Sequence, residues 1–154
     1  MKVKTKLISK SDAAKIYLDW FSEEEIKKAF RTGSRAQQKW DDYLRFEFQP
    51  YVPMDTGMLI RSAELATTIG SGEIIYNTPY SKYLYYGKLM VDRKTGSAYA
   101  REGVPKELTA TDLKFSNAAN KKAGSFWDRR AANDRFDAWK KTYAAIIAKG
   151  FSGK

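Results

Sequence analysis

Residues 22–48 read SEEEIKKAFRTGSRAQQKWDDYLRFEF, and this stretch decides the fold. Ser22 and Glu25 form a capping box, in which each side chain can bond the other residue's backbone amide, so a helix is predicted to start there. Apolar residues then recur every three or four positions, which predicts one long amphipathic helix over residues 22–49. Gly33 falls on the apolar stripe of this helix, where its small size would permit close approach of another element.

A second long helix is predicted over residues 125–150. Ser125 is its predicted N-cap, apolar residues again follow the helical period, and Gly150 is its predicted stop. Between the two long helices, Asp55 is predicted to cap a short helix that starts near Met58. The pattern therefore places helices at both ends of the chain and shorter elements in the middle.

Strands are predicted from alternation and from turn residues. Val3, Thr5 and Leu7 alternate with lysines, which predicts an edge strand. Glycine turns predict two hairpins, which pair residues 66–69 with 73–76 around Gly70-Ser71-Gly72 and residues 89–91 with 97–100 around Asp92–Gly96. Residues 101–124 are polar and lack a period, which is typical of a binding loop or an arm.

The elements together predict an α+β fold. Two long amphipathic helices pack on a small, mostly antiparallel β-sheet, from which a hairpin or loop arm protrudes. At 154 residues the chain is predicted to be one domain, 1–154. Its predicted parts are an N-terminal strand and tether (1–21), a long helix (22–49), a helix plus β-hairpin core (50–87), an extended arm or loop (88–124) and a C-terminal helix (125–150).

Composition excludes most enzyme chemistry. The chain has no cysteine and no histidine, so it has no disulfide, no thiolate zinc site, no cysteine nucleophile and no serine–histidine triad. We therefore predict no enzyme activity, no metal and no cofactor. The formal net charge of +10 favours an anionic partner. The sequence has neither a signal peptide nor a run of about 20 apolar residues, so no membrane association is predicted.

Asp55-Thr56-Gly57 is the one tripeptide with a catalytic precedent, since aspartic proteases carry the same three residues in their catalytic loop. A catalytic aspartate of that kind lies between apolar strands and shares a proton with a second one. Here Pro53 stands two residues before the aspartate, where it disfavours a central strand, and a helix is predicted to follow. The pattern favours a cap and tight turn over a protease.

Tyrosines cluster around the middle of the chain, at positions 76, 80, 83, 85 and 86, with Lys82 and Lys88 interleaved. Such a cluster could stack the bases of a single strand, or form core and protein interface, and the second interpretation is favoured. The last helix carries Arg129 and Arg130 among further cations. These could contact DNA phosphates, although a solvated outer face is the favoured interpretation.

Four blocks of the chain resemble phage minor capsid and tail-completion proteins. Residues 52–62, VPMDTGMLIRS, are similar to the P-x-D-T-G-x-L-x-x-S stretch of that family, and residues 75–87, IYNTPYSKYLYYG, resemble its Y-x-x-P-Y-A-x-Y-x-x-x-G block. Residues 88–100 and 123–130 continue in the family's order. The resemblance covers about residues 50–139.

The resemblance implies a virion structural protein of long-tailed phages, made in the host cytoplasm and placed at the neck or head–tail junction. It implies assembly as a homo-oligomeric ring that docks on other neck and tail proteins. The net charge of +10 separately suggests contact with acidic ring surfaces or non-specific contact with the exiting DNA. The competing interpretation is a basic nucleic-acid-binding protein that acts free in the host cytosol. The predicted structural motif consists of Pro53, Asp55, Thr56, Gly57 and Gly87. The predicted interface residues are Tyr80, Tyr83, Tyr85, Tyr86, Lys88, Met90, Arg93, Lys94, Tyr99, Phe126, Trp127, Arg129 and Arg130.

Overall fold

The computed structural model describes residues 3–4, 23–99 and 103–151. The predicted tether and the Ser22 half of the capping box lie outside these residues. Helices and short strands are mixed along the chain. In order, the elements are β1 (Val3–Lys4), α1 (Glu23–Ala29), α2 (Arg35–Phe48), a 3₁₀ turn (Gln49–Tyr51), α3 (Met58–Ala66), β2 (Ile75–Tyr76), α4 (Ser81–Tyr86), β3 (Lys88–Asp92), β4 (Lys106–Asp112) and α5 (Trp127–Phe151).

The predicted long helix over 22–49 is wrong in one respect, because it is two helices joined by an elbow, residues 30–34. Gly33 adopts a left-handed conformation with φ of +79°. The Ser34 hydroxyl accepts a hydrogen bond from the Gln37 amide at 3.1 Å and so caps α2. A residue with positive φ followed by an N-cap ends one helix and starts another. The apolar residues therefore keep their helical spacing across the elbow, although the helix is interrupted there.

The core lies between α2 and α5. Trp40, Leu44 and Phe48 of α2 are buried against α5, where the Trp139 ring lies 6.5 Å from the Trp40 ring and 5.9 Å from the Phe48 ring. At the edge of this contact, the Glu47 carboxylate accepts hydrogen bonds from Arg135 and Trp139. The 25-residue α5 begins at Trp127 and runs through Gly150, so neither the predicted cap at Ser125 nor the predicted stop at Gly150 is at a helix end.

The predicted hairpin around Gly70-Ser71-Gly72 is wrong. Helix α3 extends to Ala66, and β2 pairs antiparallel with β1 instead, with Tyr76 opposite Val3. The glycine turn serves another purpose, because the amides of Gly70 and Gly72 donate to the buried Asp41 carboxylate at 2.8 and 3.0 Å. A buried carboxylate needs hydrogen-bond donors, and Asp41 takes them from the amides of the turn around which the hairpin was predicted.

The second predicted hairpin exists with a different partner strand. The turn at Asp92 forms as expected, since the Gly96 amide donates to the Asp92 carbonyl at 2.8 Å. However, β3 pairs antiparallel with β4, residues 106–112, and not with residues 97–100, of which Ala100 lies outside the described part. Part of the segment predicted to lack structure is therefore a strand. We call β3, β4 and their connection the hairpin.

The segment that follows the hairpin returns to the core. The Asn120 side-chain amide donates to the carbonyls of Gln49 and Val52, both at 2.8 Å, and the Gly124 amide donates to the Tyr51 carbonyl at 3.2 Å. These bonds hold the end of the predicted arm against the 3₁₀ turn. The architecture is α+β with two small two-stranded antiparallel sheets, and α5 is the longest helix of the described chain.

Candidate interaction surface

A joint centred on Gly87 fixes α4, the hairpin and α5 relative to one another. Gly87 ends α4 in a left-handed conformation, with φ of +66°, as the sequence predicts. Its carbonyl accepts the Leu113 amide at 2.8 Å, which closes the base of the hairpin, and the Phe126 amide donates to the Tyr85 carbonyl at 2.9 Å. A Cβ on residue 87 would stand 2.8 Å from the Ser125 Cβ, so only glycine fits.

Aromatic rings fill the space behind this joint. The Tyr85 ring contacts the rings of Trp127 and Phe126 edge-on, at 4.9 and 5.2 Å, and the Tyr76 ring contacts Trp127 at 5.1 Å. Burial raises the pKa of Tyr76 and Tyr85 well above the ordinary value of 10.0, and the Asp128 carboxylate adds to the rise at Tyr85. Both phenols therefore remain protonated, and their role is to pack.

The loop 53–57 leads into α3, but it starts this helix in a different way from the one that the sequence predicts. Helix α3 begins after Gly57, which has φ of +78°, and no side chain caps it, so the predicted Asp55 cap is wrong. Asp55 is exposed and precedes a helix. An exposed aspartate in a turn differs from a catalytic one held between apolar strands.

Two adjoining grooves run along this loop and α3. One has a volume of about 450 Å³ and lies between residues 53–59, α4 and residues 114–116, while the other, of about 550 Å³, lies between α3 and residues 77–80. Met58 and Tyr80 line both. Several large apolar side chains along them are exposed, with 56% for Met58, 77% for Leu65 and 38% for Tyr80. Contiguous exposed apolar side chains are typical of an interaction site.

The hairpin carries further predicted interface residues. Lys88 pairs with Asp112 at its base, and Arg93 pairs with Glu107 at 3.1 Å near its turn. Tyr99, beyond the turn, is 91% exposed. Met90 is half-buried, whereas Arg93 and Lys94 are exposed.

The structure separates the predicted interface residues into buried, half-buried and exposed groups. Tyr85 and Trp127 are buried inside the chain, and we leave both out of the surface considered below. Tyr83 and Phe126 are half-buried at the joint, where Arg129 lies over the Phe126 ring at 5.1 Å. The exposed members are Tyr80, Tyr86, Arg93, Lys94, Tyr99, Arg129 and Arg130.

Sequence reasoning missed the exposed apolar residues of α3. Met58, Leu59, Ala63 and Leu65 are apolar residues of one short helix, yet only Leu59 and Ala63 are buried. The signal was present, because a short helix that is apolar on more than one face cannot bury every face against a single core.

A family model described as Minor capsid protein matches residues 22–147, more than four-fifths of the chain. The chain belongs to the minor capsid protein family. This phage minor capsid protein is a virion component, and such a role implies contacts with other virion proteins. No curated protein and no solved structure matches it.

The minor capsid protein shows two further features in residues 23–99 and 103–151. No helix there combines the length and apolar character needed to cross a membrane. Within the same residues, no group of three or more acidic side chains is placed to hold a metal ion. The exposed groove and hairpin residues are thus the features of this region from which we argue a function.

Proposed function

We propose that this minor capsid protein lies at the phage neck or head–tail junction, assembles as a ring with copies of itself, and docks on neighbouring neck and tail proteins. The observation that carries the proposal is the exposed apolar surface along the two grooves. Met58 and Leu65 gain free energy when a partner covers them, in proportion to the apolar area removed from water. Membership of a virion family supports a permanent assembly partner over a transient ligand.

The frame beneath the grooves suits a ring subunit. Helix α3 is held by the buried Leu59 and Ala63, and the Ser62 hydroxyl accepts the Asn77 amide at 3.2 Å. The groove walls are therefore fixed before a neighbour arrives, so little conformational entropy is lost on docking. We infer that a second copy of the chain covers the grooves.

The hairpin is the proposed reach toward the adjacent subunit or the next ring. An isolated two-stranded hairpin is marginally stable in water. Leu108 is 46% exposed on β4, and Tyr99 is almost fully exposed, so the hairpin leaves apolar surface uncovered within its own chain. Contact with a neighbour would cover this surface and stabilise the hairpin.

The groove experiment replaces Met58 and Leu65 with serine. Because the two side chains are exposed, we expect a folded protein whose ring is weakened, measured as solution mass by light scattering and as incorporation into particles. Phe46→Ser is the matched control, since Phe46 is 54% exposed on α2 and does not line either groove. Unchanged assembly of the double variant, or equal loss in the control, would show that the grooves are not the contact.

The hairpin experiment excises residues 89–111. Lys88 and Asp112 are paired and the Gly87 carbonyl bonds the Leu113 amide, so an Asn-Gly turn can join the two cut ends. We expect a folded monomer that fails to assemble. Particles with normal necks, imaged by electron cryomicroscopy, would contradict the proposed reach.

The high positive charge favours one alternative, a nucleic-acid-binding protein that acts free in the cytosol. The two functions differ in where the protein is found, because a neck protein is present at fixed copy number in purified particles. A protein absent from particles but bound to DNA in the host extract would favour the alternative.

A further inference from the structure

The elbow lies in a stretch of the sequence that has cations and no acids. Between Ile26 and Trp40 the sequence has five lysines and arginines and no aspartate or glutamate, so this stretch carries half of the net charge of +10. Arg31 in the elbow and Arg35 and Lys39 on α2 are all exposed. Arg35 and Lys39 are four apart on α2 and are therefore surface neighbours, while Arg31 lies just before this helix, where its carbonyl accepts the Ser34 amide at 3.0 Å. We call Arg31, Arg35 and Lys39 the elbow patch.

The two carboxylates that follow the elbow patch in sequence have partners of their own. Asp41 is buried and bonds the glycine turn, and Asp42 pairs with Arg45 at 2.8 Å. Glu24 belongs to the first turn of α1, about two helical turns before Arg31. In the part of the chain that the structure describes, none of the three patch residues forms an ion pair. Their charges therefore remain available to a partner.

The backbone under the elbow patch is fixed. The Gly33 amide donates to the Gly70 carbonyl at 2.8 Å, and the Ser34 hydroxyl donates to the Ala29 carbonyl at 2.6 Å. The Phe30 ring stacks on Tyr143 of α5 at 4.3 Å. A partner would therefore meet cations in a fixed arrangement, with little backbone ordering required on binding.

We propose that the elbow patch binds the phosphates of double-stranded DNA without reading its sequence. Protein–protein interfaces have apolar centres and few lysines, whereas DNA interfaces are polar and strongly positive. No large apolar side chain of described residues 24–44 is exposed. The elbow patch therefore resembles a DNA interface, whereas the grooves resemble a protein–protein interface. The same stretch offers no exposed aromatic ring on which a single strand could stack its bases. This proposal does not depend on the ring.

The test measures binding of the full chain to a labelled duplex by fluorescence anisotropy, across about 50–200 mM salt. The variant replaces Arg31, Arg35 and Lys39 with glutamine. Each lost phosphate contact lowers the slope of log affinity against log salt by about 0.9, so three contacts lower it by about 2.7. The affinity advantage of the natural chain over the variant should then shrink roughly 40-fold across that salt range.

The matched control replaces three exposed lysines outside the elbow, Lys82, Lys114 and Lys121, with glutamine. It removes the same charge, and we expect its salt slope to stay close to that of the natural chain. A variant with lysine at positions 31 and 35 keeps the charge and should keep the slope. Circular dichroism of each variant checks that the fold is retained.

Four results would overturn the proposal. Equal loss of slope in the patch variant and the control would mean that the binding reflects net charge alone. No binding at the lowest salt would remove DNA as the partner. If the patch variant lost binding to polyglutamate but kept its affinity for duplex DNA, the partner would be an acidic protein surface. Two duplexes of unrelated sequence should bind equally, and unequal affinities would contradict phosphate-only contact.

Discussion

Gly87→Ala tests whether the joint between α4, the hairpin and α5 depends on the absence of a side chain. The new Cβ is penalised twice. A left-handed conformation costs a residue with a Cβ about 1–2 kcal/mol. The Cβ also stands 2.8 Å from the Ser125 Cβ, and overpacking of this kind costs about 1–3 kcal/mol. We expect the free energy of unfolding to fall by about 2–5 kcal/mol.

Gly96→Ala is the matched control for the conformational part. Gly96 has φ of +67°, almost the same as the +66° of Gly87, but a Cβ there would meet nothing within 4 Å. Its substitution should cost about 1–2 kcal/mol, so the difference between the two variants isolates the steric part. Urea unfolding followed by tryptophan fluorescence measures both, since the buried Trp127 lies at the joint.

Ser125→Gly removes the atom that the new Cβ would contact. In the double variant Gly87→Ala/Ser125→Gly the steric cost should disappear, so the two substitutions should couple by about 1–3 kcal/mol. Equal destabilisation at Gly87 and Gly96, together with additive behaviour of the double variant, would refute the steric reasoning. The joint would then owe its geometry to backbone conformation alone.

Two further predictions concern buried or bridging carboxylates. Glu47 is partly buried, yet hydrogen bonds from Arg135 and Trp139 hold its pKa below the ordinary 4.5. The ionised Glu47 therefore stabilises the fold above about pH 4.5, and this stabilisation is lost as pH falls through the lowered pKa. Glu47→Gln should make the free energy of unfolding less dependent on pH in the acid range. An unchanged pH dependence in that range would contradict this. Asp41→Ala should lower the free energy of unfolding by about 1–3 kcal/mol, because the amides of the turn 70–72 lose their acceptor. Urea unfolding measures this change, and a value below about 0.5 kcal/mol would show that water replaces the carboxylate.

The helices could be predicted because their signal is local. The apolar period located α2, α3 and α5, whereas the short α4 follows no period long enough to detect. The elbow was missed although its signal was present. The signal is a helix stop at Gly33 followed by a capping pattern, Ser34 with Gln37 three residues later. It was overlooked because the apolar spacing continues on both sides of it.

The strands were harder to predict because their partners are distant in sequence. Glycine turns favour the nearest hairpin, and that rule failed at Gly70 since Asp41, 29 residues earlier, accepts the turn amides. It failed again after Asp92, where the turn was right but the partner strand starts at Lys106. Local turn chemistry describes the bend of the chain, whereas pairing depends on tertiary contacts that no short window contains.

Some of the residues that carry the family resemblance serve the interior of the fold. Gly57, Tyr85 and Gly87 set the start of α3, the aromatic packing and the joint, which are all internal requirements of the fold. Residues 53–59 and Tyr80 of the motif also line the grooves, whereas the exposed Leu65 and Arg35 lie outside the motif. The motif therefore contributes to the groove walls, and exposed residues around it add to the surfaces proposed to contact partners. Substitutions at the joint should change stability first, and substitutions on the two surfaces should change assembly or DNA affinity while stability is retained.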